Sequence, residues 1–65
     1  MKDENGTTYI EICGTVVART PDAVLLNDGS REEWVPESQI EDEQTDRGIT
    51  TLLMPEWLAV KKGFV

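Results

Sequence analysis

The sequence predicts a mainly β fold, a small antiparallel barrel or curled sheet of four to five strands with a short C-terminal helix, of the Src-homology-three-like or OB-like kind. Three observations carry this expectation. Ala23 to Leu26 and Arg31 to Val35 are extended runs separated by Asn27-Asp28-Gly29-Ser30. Asp-Gly between two such runs is a strong hairpin signal, because Gly29 accepts the positive φ that the turn requires. Thr7 to Arg19 alternates with the period of two expected of a strand, and Pro55 to Val65 gathers helix start and stop signals.

Taken in order, residues 1 to 6 are polar and expected to fray, leaving residues 7 to 65 as one domain. In the first strand Ile10, Ile12, Val16 and Ala18 share one face, and Gly14 in mid-strand suggests a bulge or sharp bend. Thr20-Pro21-Asp22 makes the first reversal, with proline presetting φ and aspartate available to bond the neighbouring backbone. The strand Arg31 to Val35 is expected to stop at Pro36, which offers no ladder N–H. Pro36 to Ile40 reads as a single helical turn, Glu41 to Asp46 as a solvated acidic loop, and Ile49 to Met54 as a fourth strand. In the expected helix, residues 55 to 62, Pro55 takes the first helical position, Glu56 and Lys61-Lys62 complement the dipole, and Gly63 caps the end. So short a helix is marginal alone, so Trp57, Leu58 or Phe64 must dock on the sheet.

With 65 residues the chain supports one small core. Its single cysteine, Cys13, excludes an internal disulfide and reads as a small thiol, buried or half-buried on a strand. A lone cysteine with no histidine excludes zinc-finger spacing, Cys-His pairs and Ser-His-Asp triads. Glu32 and Glu33 are adjacent in a strand, so they point to opposite faces and cannot act as a carboxylate pair. No glycine-rich phosphate cradle is present, and a non-enzymatic protein without cofactor is expected. Glu41, Asp42, Glu43 and Asp46 offer oxygen ligands but lack the alternating ladder of a calcium loop, so no metal is expected. The charged start and the short apolar runs argue against a signal peptide or membrane span, which makes the cytoplasm the expected location.

Thirteen acidic residues against six basic ones give a net charge of −7, the wrong sign for a general duplex binder. The acidity has two readings: solubility or salt adaptation, and a surface that attracts a basic partner. Trp34 and Val35 are neighbours in a strand, so only one can face the core. One reading packs Trp34 with Trp57 beneath the helix; the other leaves Trp34 outside beside Glu32 as a binding anchor.

The segments Gly14 to Leu26, Trp34-Val-Pro-Glu-Ser-Gln-Ile40 and Met54-Pro-Glu-Trp-Leu-Ala-Val-Lys-Lys-Gly-Phe64 resemble a group of short uncharacterised proteins of bacteria, archaea and their phages. These share a W-V-P-x-S-Q-I motif and a P-E-W-L-A-x-K-K-G tail. The resemblance spans residues 14 to 64, and the stretch between Ile40 and Ile49 is more acidic here than the group pattern. It implies an accessory intracellular protein of phage or mobile-element origin and no catalytic residues.

The expected function is a protein-interaction module, an adaptor or inhibitor. Trp34 and Trp57 are its apolar anchors, and Glu32, Glu37, Glu41, Asp42 and Glu43 steer a basic protein partner. The alternatives are an OB-like single-stranded nucleic-acid binder, drawing on Arg19, Arg31, Arg47, Lys61 and Lys62, and a structural homodimer.

Overall fold

The computed structural model describes residues 6 to 65, so the expected fraying of residues 1 to 6 lies, Gly6 apart, outside the described residues. Five antiparallel strands form one sheet: β1 (Tyr9–Arg19), β2 (Ala23–Asn27), β3 (Glu32–Pro36), β4 (Asp42–Asp46) and β5 (Ile49–Pro55). A 3-10 turn (Glu37–Gln39) joins β3 to β4, and the helix α1 (Glu56–Lys62) follows β5. The strand order is β3-β2-β1-β5-β4, so the sheet curls without closing and ends in two edges, β3 and β4.

β1 serves both halves of the sheet. Tyr9 to Gly14 pair with β5, and Thr15 to Arg19 pair with β2. The register shifts between Val16 and Ala18, so a bulge at Val17 turns Ala18 opposite Leu25. The bulge therefore lies beyond Gly14, and it carries Ala18 off the inward face that strict alternation assigns to it. Gly14 answers a different need. A Cβ there would run into the Asn27 carbonyl, a backbone group that cannot swing aside.

The hairpins follow their side chains. Asp28 accepts hydrogen bonds from the N–H groups of Ser30 and Arg31 at 2.8 and 2.9 Å, and Gly29 has φ 99°. In the first reversal it is Thr20, rather than Asp22, whose side chain organises the turn: its Oγ1 accepts from the N–H groups of Asp22 and Ala23. Pro36 is incorporated as the last residue of β3, opposite Ala23, which an edge strand permits.

Residues 42 to 46 form a strand, not the expected acidic loop. Arg47 and Gly48 both adopt positive φ, 55° and 82°, which supplies the tight turn that folds β4 back on β5. Glu43 and Thr45 lie opposite the buried Leu52 and Thr50 and share their inward face. Thr45 and Thr50 share a 2.8 Å hydrogen bond between their hydroxyls. Polar pairing on this face stands in for the apolar anchors that the segment lacks.

The core is Ile12, Leu26, Val35, Leu52, Met54, Leu58 and Ala59, with Ile10, Val16, Ile40 and Phe64 packed around it. Leu58 and Ala59 fix α1 over one end of the sheet. Pro55 is the N-cap of α1 rather than its first helical residue. The helix stops at Gly63, φ 82°, where the N–H of Phe64 donates to the Ala59 carbonyl and that of Gly63 to Val60. These two hydrogen bonds fold Phe64 back onto the core.

Candidate functional site

The hairpin register fixes which tryptophan face is free. Val35 lies opposite Val24, and both are fully buried, so Trp34 opposite Leu25 must point outward. Trp34 is 40% exposed and is not packed beneath the helix, which corrects the reading that buries it with Trp57. The helix packs on β1 and β5 instead.

On the outer face the paired residues line up across strands. Trp34, Leu25 and Ala18 form one row over β3, β2 and β1, and Pro36 with Ala23 forms the next. Together they make a contiguous apolar patch, headed by an indole at the sheet edge. Glu32, which accepts from Asn27 Nδ2 at 3.3 Å, borders it on the hairpin side. Glu33 points to the opposite, inner face, as adjacent strand residues must.

Trp57 belongs to a second surface. It is 54% exposed, with Val60 one turn further along the outer side of α1. Docking of the helix rests on Leu58, Ala59 and Phe64, so Trp57 contributes little to the core.

The acidic residues divide by partner. Arg19 donates from both Nη atoms to Glu43, at 3.2 Å from Nη1, and lies 3.7 Å from Glu37. The hydrogen bond to Glu43 is the first cause holding the guanidinium further toward its charged form. These contacts tie the end of β1 to β4 and to the 3-10 turn, across the side where the sheet stays open. Glu41 accepts from the Tyr9 hydroxyl at 3.5 Å, and Asp42 from Gln44 Nε2 at 3.2 Å. Of the steering candidates, Glu32 borders the Trp34 patch at the hairpin end and Glu37 follows Pro36 at the other. Arg31 Nη1 donates to the Lys62 carbonyl, so Arg19 and Arg31 both have partners within the fold.

The chain matches no protein-family model, no curated protein and no solved structure. The W-V-P-x-S-Q-I segment occupies the end of β3 and the 3-10 turn, and the P-E-W-L-A-x-K-K-G segment occupies α1 with its two caps.

Among the described residues, two open grooves flank β1. One, of about 330 Å³, is lined by Tyr9, Ile10, Glu11 and Leu53. The other, about 320 Å³, is lined by residues that include Cys13, Gly14, Asp28 and Ile49. Cys13 is exposed rather than buried or half-buried, its Sγ 3.4 Å from Thr51 Oγ1, because it lies on the outer face of β1. Among the described residues no three Cys, Asp or Glu side chains converge as a metal-ligand set. No helix among them is long and apolar enough to cross a membrane.

Leu25, Pro36, Ala23 and Ala18 are the site residues that sequence reasoning missed. For Leu25, Ala23 and Pro36 the signal was the hairpin itself: once Val35 is placed inward, period-two alternation puts them outward with Trp34, whereas Ala18 joins them only through the bulge in β1.

Proposed function

We propose that this chain is a non-enzymatic protein-interaction module, an accessory adaptor or inhibitor that engages a basic partner. The reading rests on one observation above others: Trp34 stands exposed at a sheet edge, at the head of the Leu25–Ala18–Pro36–Ala23 patch, with Glu32 on its rim. Tryptophan is over-represented among residues that dominate binding energy, because one rigid side chain removes a large area from water. The net charge of −7 adds long-range attraction for a basic surface and raises the encounter rate. Glu32 acts at the patch, whereas Glu41 and Asp42 contribute to the general field. Glu37 and Glu43 also hold the fold through Arg19. Trp57 and Val60 offer a second apolar contact on α1, suited to a partner that wraps past the end of the sheet.

The test is capture of a partner from an extract of the source cells by the immobilised chain and by Trp34→Ala. The substitution removes binding while the circular dichroism spectrum and Tm stay close to those of the parent. A large fall in Tm would instead make Trp34 part of the core, and undiminished capture would discard the patch as the site.

A further inference from the structure

The two sheet edges differ in a way that bears on what kind of partner fits. β4 carries Asp42, Glu43, Gln44, Thr45 and Asp46, a run without an apolar side chain and rich in charge, which discourages pairing with another strand. β3 carries exposed Trp34 instead, and it stands last in the strand order, with β2 as its one strand neighbour among the described residues.

The hydrogen-bond parity of the β2–β3 hairpin tells which backbone groups of β3 are free. The Asp28 N–H donates to the Arg31 carbonyl at 3.1 Å, and the Glu37 N–H donates to the Asp22 carbonyl at 2.8 Å. In an antiparallel ladder, pairs that exchange bonds alternate with pairs that do not. Between those two bonds the exchanging pairs are therefore Leu26 with Glu33 and Val24 with Val35. Glu32, Trp34 and Pro36 turn their backbone groups away from β2, toward the open edge. Glu32 and Trp34 each present an N–H and a carbonyl there, and Pro36 presents a carbonyl only. The side chains of these same residues lie on the outer face, where Trp34 heads the apolar patch.

We propose that the free edge of β3 is a strand-addition site for an extended segment of a partner protein in which aliphatic and basic residues alternate. The proposal rests on the protein-interaction reading and gives it a binding mode. The guest residue opposite Trp34 shares its face and lies against the indole, so it is aliphatic. The guest residue opposite Glu33 points to the other face and is basic. Main-chain bonds to Glu32 and Trp34 supply register, and the alternating side chains supply selectivity. Pro36 ends the addition, since it has no N–H to extend the ladder. Charge argues against a second copy of this chain as the occupant: each copy carries −7, with Glu32 and Glu33 both on the pairing strand.

The experiment is an NMR titration of the full chain, at low salt, with a blocked octapeptide alternating lysine and valine. Amide shifts are expected to centre on Glu32 and Trp34, and Trp34→Ala weakens binding by about tenfold or more. Two N-methylated versions then separate edge pairing from simple surface contact. In antiparallel addition the valine amides, opposite Trp34, face β3, so methylating them abolishes binding, while methylating the lysine amides, which face away, leaves it; the reverse pattern would mark a parallel guest strand. If both methylated peptides bind equally well while Trp34→Ala does not bind them, strand addition is overturned and the interaction reading stands. An alternating glutamate–valine peptide that binds as tightly as the lysine one overturns the charge assignment. Absence of β3 shifts at millimolar peptide, or a concentration-dependent dimer that Trp34→Ala disperses, overturns the proposed occupant.

Discussion

At the scale of single residues, the turn after β2 shows how one carboxylate organises a reversal of the chain. Asp28 accepts two N–H bonds, and these, from Ser30 first and Arg31 next, hold its carboxyl below the usual aspartate value. A carboxyl whose folded pKa is depressed adds stability that is fully present above its unfolded value of about 3.9. That contribution disappears as pH falls through the lower, folded value. Acid titration of Tm should therefore show a loss beginning at about pH 4. Part of that loss should be missing in Asp28→Asn, because the amide oxygen still accepts but no longer titrates. An unchanged acid limb in that variant would assign the loss to the other carboxylates. Gly29, at φ 99°, was legible as a turn glycine from its neighbours alone. Gly14 was legible only as unusual. Its requirement comes from the Asn27 carbonyl on the neighbouring strand, which no local pattern reports.

At the scale of elements, β2, β3, β5 and α1 could be read because each carries its own signal: apolar alternation, turn chemistry or cap residues. β4 could not. Its five residues have strand geometry because Arg47-Gly48 returns the chain onto β5 and because Glu43 and Thr45 find polar partners in Arg19 and Thr50. The turn at Arg47-Gly48 was legible locally, but the contact of Glu43 with Arg19, far away in the chain, is a tertiary fact. The patch around Trp34 was half legible: the Trp34–Val35 alternative was visible, and the register with β2 resolved it. Arg47 gives this turn a stability handle, since a non-glycine residue at φ 55° stores strain and Asn-Gly is the pair best suited to two consecutive positive φ values. Arg47→Asn should raise stability by up to about 1 kcal/mol, measured by urea unfolding. A loss of stability would mean that the Arg47 side chain matters more than its backbone.

For the molecule as a whole, the charge excess and the Arg19 contacts oppose one another as salt is added. Thirteen acidic groups against six basic ones repel within a 65-residue chain, and added salt relieves that repulsion. Salt also weakens the exposed pairing of Arg19 with Glu43 and Glu37, but such surface pairs contribute little each. Tm should therefore rise between low salt and about 0.5 M sodium chloride, where the screening length has shrunk to a few ångströms. A falling Tm would show that the ties across the open side of the sheet outweigh the general repulsion. The curled form was foreseeable from chain length and hairpin spacing; that the curl stays open was not, because it depends on where two edges stop.

The sharing of β1 between both halves has a consequence for folding. The N-terminal part of that strand comes early in the chain, yet its partner β5 begins only at Ile49. Until β5 has docked, Ile10 and Ile12 have a greasy side with nothing to lie against. That ladder must close a long loop, so it costs more chain entropy to form than the neighbouring β2–β3 hairpin and is expected to form later in folding.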